Sequence, residues 1–138
     1  MSELGTLPFQ VVDATIAGDV TTTPAGLPVY TGTVNVYSEA LVPYNSETTI
    51  VSYLVPAGHT VYPTGLRGSG DTCGEFYLKI DGVKVGYSRT TASTPTCSED
   101  YSVAPQPAYA GQLITISAIT YENAATHTMR ATLLGGLV

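Results

Sequence analysis

Apolar and polar residues alternate with period two along most of this chain, in runs of six to nine, and the runs are separated by Gly, Pro, Asn and Asp. That is the pattern of strands with one buried face. The clearest case is a hairpin. Glu75-Phe76-Tyr77-Leu78-Lys79-Ile80 is followed by Asp81-Gly82 and then Val83-Lys84-Val85-Gly86-Tyr87-Ser88. Asp-Gly suits a type I′ turn, in which both central residues take positive φ. A two-residue loop predicts the register Ile80–Val83, Leu78–Val85 and Phe76–Tyr87 on one face. Lys79 then opposes Lys84 on the other face, which requires solvent or a nearby acid such as Glu75.

The same reading predicts strands over Thr48–Val55, Thr60–Leu66, Leu113–Tyr121 and Thr126–Leu134. Met129, Ala131 and Leu133 fall on one face of the last, and Thr128, Arg130 and Thr132 on the other. Val29–Tyr37 and Phe9–Ile16 are further strands, and Glu99–Val103 is a weak one. Pro63 cannot donate to a ladder, so its strand is expected at an edge or at a bulge. The longest helical run, Ser38-Glu39-Ala40-Leu41-Val42, is a single turn that stops at Pro43. Eight or nine strands with varied connections predict an all-β, antiparallel two-sheet sandwich. With no Trp in the chain the immunoglobulin signature is missing, so the jelly roll is the expected form.

Residues 1–28 differ from the rest. They hold Pro8, Pro24 and Pro28, a Thr21-Thr22-Thr23 run and few large apolar groups. The expected organisation is an extended N-terminal arm over 1–28 and a β-sandwich domain over 29–138. The arm would order on a partner, or else form an ordinary N-terminal strand and loop.

Composition narrows the function class. In 138 residues there are 5 Lys+Arg and 11 Asp+Glu, so charged residues make up only 12%, while 21 Thr and 10 Tyr are present. Average domains carry about 25% charged residues. Five cations against a net charge of −6 cannot form a phosphate-reading stripe, so nucleic acid is not an expected partner. No apolar run approaches the length of a membrane span, so no membrane partner is expected. The segment MSELGTLPFQ has neither a basic nor an apolar leader region, so export is not expected.

Chemistry-bearing motifs are sparse. His59 and His127 lack the spacing of metal ligands and read as solvated or locally hydrogen-bonded, so neither a metal nor a cofactor is expected. Gly68-Ser69-Gly70 is too short for a nucleophile elbow. Glu99-Asp100 is the only adjacent acidic pair, and neighbours on a strand face opposite ways. No catalytic residue is nominated and no enzyme is expected. Cys73 and Cys97 either form one bridge, closing a loop of about 25 residues worth about 3 kcal/mol in the chain-entropy model, or remain two buried or half-buried thiols. The tyrosines suit half-buried strand positions and subunit contacts better than sugar sites, which usually add Trp.

Two stretches carry a resemblance. Tyr37-Ser38-Glu39-Ala40-Leu41-Val42-Pro43-Tyr44-Asn45 is followed by Thr48-Thr49-Ile50-Val51-Ser52-Tyr53-Leu54-Val55-Pro56-Ala57-Gly58. Gly65-Leu66-Arg67-Gly68-Ser69-Gly70-Asp71 leads into Phe76-Tyr77-Leu78-Lys79-Ile80-Asp81-Gly82. Over residues 37–138 the chain resembles small β-sandwich virion proteins of tailed bacteriophages, found as capsid decoration (cement) proteins or tail-associated modules. It departs from them at Pro63, where an apolar strand residue is usual. The resemblance implies a jelly roll, no catalysis and symmetric self-association on a particle.

The expected function is therefore that of a capsid decoration protein, assembled into virions in the host cytoplasm. Its partners would be the major capsid protein and its own copies, as a trimer. Contacts are expected from Pro8, Phe9, Pro24, Leu27, Pro28, Tyr30, Pro43, Tyr44, Pro105, Pro107 and Tyr109. The acids are expected on the outward face, away from the joints. The alternative is a tail-tip or fibre module that binds a host glycan. A small esterase or glycosidase is a third class, with no acid to nominate for it.

Overall fold

The computed structural model describes residues 28–122 and 124–138, and the architecture is an all-β sandwich. Nine strands occur among the described residues: β1 (Gly32–Val42), β2 (Thr48–Leu54), β3 (Thr60–Gly70), β4 (Glu75–Ile80), β5 (Val83–Arg89), β6 (Thr96–Asp100), β7 (Ala108–Tyr109), β8 (Leu113–Ile119) and β9 (His127–Leu137). One sheet has the order β1-β9-β3-β6, with β7 also pairing β3; the other has the order β2-β8-β4-β5. All strand pairs are antiparallel.

The pairing is nested. β4 pairs with β5, β3 with β6 and β7, β2 with β8, and β1 with β9. A long hairpin rolled up on itself gives this order, and it is consistent with a jelly roll. The first and last strands end as neighbours, with β1 running eleven unbroken pairs along β9 from Gly32↔Leu137 to Val42↔His127.

The core lies between the sheets. Phe76, Leu78, Ile114, Ile116 and Val51 project from the four-stranded sheet, and Val42, Leu66, Met129 and Leu133 from the other. Met129, Ala131 and Leu133 are all buried, as the alternation predicts. The Phe76 ring lies against Gly68, where an added Cβ would come 2.9 Å from three ring atoms. Glycine is required at that position so that ring and sheet can meet.

Several expectations need correction. The run at 38–42 is the end of β1, its exposure alternating with the rest of the strand. Its inward apolar residues, Ala40 and Val42, are spaced by two, and the β9 ladder selects the strand. β6 covers Thr96–Asp100, earlier than the weak strand expected over Glu99–Val103. β7 has only two residues, too short to show a period. Pro63 is at a bulge, between Pro63 and Gly65, but β3 is a central strand. The proline is accommodated because β7 pairs only through Val61 and β6 only from Gly65, leaving a gap opposite it.

The hairpin turn is as expected, with Asp81 at φ 48° and Gly82 at φ 81°. Its register holds only for Ile80↔Val83 and Lys79↔Lys84, after which a bulge between Leu78 and Lys79 shifts the pairing. Leu78 then faces Gly86, Tyr77 faces Tyr87 and Phe76 faces Ser88. Ser88 therefore turns inward and Tyr87 outward. The cause lies outside the hairpin. Tyr101 packs over Gly86, where a Cβ would strike its hydroxyl, and that hydroxyl accepts a hydrogen bond from the Tyr87 N–H at 3.1 Å.

Candidate interaction surface

The register sorts the loops to two ends of the sandwich. One end carries the start of β1, the β2–β3 link, the β4–β5 turn, the links around β7 and the end of β9. The other carries the β1–β2, β3–β4, β5–β6 and β8–β9 links.

The first end is apolar. Of the 13 exposed large apolar side chains among the described residues, seven are on it: Val29, Tyr30, Leu54, Val83, Tyr109, Leu113 and Val138. Val29 is 71% exposed, Val83 65% and Leu54 62%, and Val103, in the β6–β7 link on the flank, is 83% exposed. Backbone bonds hold them in place. Leu54 pairs with Leu113, and Thr60 exchanges two hydrogen bonds with Val138 at 3.0 and 2.8 Å. The Asp81 carboxylate accepts the Leu113 N–H at 2.8 Å and the Gln112 amide at 3.3 Å, which ties the β4–β5 turn to β8. His59 Nδ1 lies 3.3 Å from the Val138 carbonyl. Tyr30 covers Gly136 beside Tyr62, with ring centroids 6.0 Å apart, and burial raises its phenol pKa.

The opposite end is acidic. Glu47, Asp71, Glu75 and Glu122 sit on its links or strand starts, with Glu39 close by on β1. Glu47 takes hydrogen bonds from Lys79 and Ser117, and these hold its carboxyl below the usual range. Glu47, and not Glu75, is the acid beside the opposed lysines; Lys84 instead lies 3.9 Å from the centre of the Tyr77 ring. Glu75 accepts the Tyr77 hydroxyl at 2.6 Å, which pushes that phenol's pKa up strongly. His127 Nδ1 lies 2.8 Å from Asp71 Oδ1, and Asp71 Oδ2 accepts the Thr128 N–H at 3.3 Å. Both histidines thus have local hydrogen-bond geometry, and no metal-holding cluster of His, Cys, Asp and Glu occurs among the described residues.

A concavity of about 410 Å³ forms an open groove on the outer face of the five-stranded sheet. Its floor is small residues, including Gly68, Ser69, Thr96, Ser98 and Thr132, and Tyr37, Arg67 and Arg130 stand around it. Arg130 reaches Glu39 at 3.4 Å. The groove is shallow and polar, without the enclosing walls of a small-molecule pocket.

The structure divides the predicted contact residues. Pro28, Tyr30 and Tyr109 are on the apolar end, and Pro105 and Pro107 lie in the β6–β7 link on its flank. Pro43 and Tyr44 are at the acidic end, where Tyr44 bridges to Thr120 and the following Asn45 takes φ 57°. Pro8, Phe9, Pro24, Leu27, most of the arm over 1–28 and the strand expected at Phe9–Ile16 lie outside the described residues. Leu54, Val83, Val103, Leu113 and Val138 are the exposed residues that sequence reasoning missed. Their signal is large apolar residues placed at strand ends, next to turns.

Cys73 and Cys97 are both free thiols. Cys97 faces Gly68 on β6, and burial raises its thiol pKa against hydrogen bonds to Ser88 and Gly68. Cys73 belongs to the β3–β4 link. Thr90 is bonded to the neighbouring Gly74, whose N–H donates to the Thr90 hydroxyl at 2.9 Å.

Fold and surface together define an all-β, two-sheet sandwich with one apolar and one acidic end. Compared with family models, curated proteins and solved structures, the chain matches none of them.

Proposed function

We propose that this is a bacteriophage virion structural protein, a capsid decoration protein that binds the shell and its own copies, three to a local threefold site. One observation carries the reading: the polarity of the sandwich. Among the described residues, seven large apolar side chains crowd one end, and four of the eight acids sit at the other with Glu39 close by. A free monomer rarely exposes such an apolar group, whereas an end covered by neighbours does. The acids then face outward, where like charge keeps particles apart. Binding the folded subunit at many sites stabilises the shell by mass action. Pro28 and Val29, the first described residues, are at this apolar end, which supports a role for the preceding arm in the same joint.

Imaging of purified particles with and without the protein tests this. Regularly spaced density that vanishes without the protein supports decoration; its absence from the head refutes it. Removing residues 1–28 is expected to leave a folded domain that no longer binds, and undiminished binding would exclude the arm's role.

A second reading, glycan binding at a tail tip or fibre, has one observation in its favour. Tyr77 and Tyr87 lie 5.5 Å apart on the outer face of the four-stranded sheet, with Lys84 over one ring and Glu75 beside it. Specific, saturable signal on a glycan array that is lost with Tyr87→Ala would favour this reading.

A further inference from the structure

Among the described residues, and apart from the two-residue β7, four strands lie at sheet edges, and three of them are protected. β5 has the bulge, Lys84 beside its turn, and the Tyr101 hydroxyl on the Tyr87 N–H. β6 is short and carries Glu99 and Asp100. β2 is bulged between Thr49 and Val51. Bulges, charges and short length are the devices that keep sheet edges from pairing with other chains.

β1 has neither a bulge nor short length, and carries a single charge, Glu39. It is eleven residues long, with no bulge in its ladder, no proline and no lysine. Thr60 and Val138 exchange both hydrogen bonds, so even-numbered residues of β9 face β3 and odd-numbered ones face β1. Leu137 pairs with Gly32, so the even-numbered residues of β1 bond to β9. The N–H and C=O groups of Thr33, Asn35, Tyr37, Glu39 and Leu41 therefore point to the open side, where they have no backbone partner among the described residues. Tyr37 and Leu41 also expose their side chains, at 58% and 66%.

We propose that this edge pairs with the same edge of a second copy, antiparallel, about a two-fold axis at Tyr37. The strand is self-complementary in that register. Tyr37 meets Tyr37, Asn35 meets Glu39, Thr33 meets Leu41, and all eleven residues overlap. No like charges face each other, because Glu39, the only charged residue of β1, meets an amide. The outward groups of all five odd-numbered residues then exchange bonds in both directions, joining two five-stranded sheets into one. An isologous contact of this kind closes after two copies. It lies on the flank, clear of the apolar end, and so does not depend on what that end covers. On a particle it would link neighbouring trimers.

The test uses the full chain in solution. Sedimentation velocity over a concentration series is expected to show reversible dimers. Tyr37→Pro removes a donor that the monomer does not use, so it should leave thermal unfolding near wild type and weaken the dimer about tenfold or more. Asn35→Lys faces the partner's Glu39 and should tighten the dimer in a salt-sensitive way. Under mild oxidation Tyr37→Cys should cross-link far faster than Thr33→Cys or the unmodified chain, since Cα atoms of a hydrogen-bonded pair lie about 5.5 Å apart. A chain that stays monomeric at all concentrations, or a dimer indifferent to Tyr37→Pro, or equal cross-linking at 33 and 37, each overturns the proposal.

Discussion

Gly68 shows how one missing side chain sets a contact between sheets. The Phe76 ring occupies the space its Cβ would need, at 2.9 Å from the position of that atom. Gly68→Ala is expected to destabilise the domain by about 1–3 kcal/mol, as overpacked cores do, read as a lower midpoint in thermal or urea unfolding. Glu47 allows a pH prediction. Its carboxyl is held below the usual range by its hydrogen bonds to Lys79 and Ser117, so its contribution is complete above the unfolded pKa. That contribution fades as pH falls below about 4 and is lost through the lower folded value. Glu47→Gln should lower stability at neutral pH and flatten its acid dependence; an unchanged pH slope would show that the Lys79 and Ser117 contacts contribute nothing.

Individual strands show what could be read in advance and what could not. The turn at Asp81-Gly82 was legible because both residues tolerate positive φ, and the alternation at Met129, Ala131 and Leu133 was legible because one face is buried. The shift to Leu78↔Gly86 was not, because its cause is Tyr101, fourteen residues beyond Tyr87. Pro63 announced a bulge from its own chemistry, but the central place of β3 depends on where β6 and β7 stop. The apolar end was equally hidden. Leu54, Val83 and Leu113 fall inside the strands that the alternation predicts, and only the assembled sandwich shows that strand ends bring them out together. Asp81 links these observations. It combines positive φ with a carboxylate that accepts the Leu113 N–H. Asp81→Ala is expected to cost about 1–2 kcal/mol and to loosen the Leu54–Leu113 corner, visible as faster amide exchange at Leu113. Unaltered exchange there would argue against the link.

For the molecule as a whole, the low charge of the chain becomes a matter of placement. Glu39, Glu47, Asp71, Glu75 and Glu122 cluster at or near one end, while the exposed Val29, Leu54, Val83, Leu113 and Val138 cluster at the other. Interfaces deplete Glu and Lys and gather apolar and aromatic groups, so the apolar end is the one we expect to be covered. The most direct measurement is co-sedimentation of the purified protein with virus particles stripped of it, comparing two variants that keep the wild-type circular dichroism. Leu54→Asp with Val83→Asp charges the apolar end and is predicted to lower bound protein about tenfold or more, the scale on which central interface residues act. Glu122→Lys at the acidic end is predicted to bind as wild type does. Equal binding by the apolar-end variant, or loss confined to Glu122→Lys, would contradict the account.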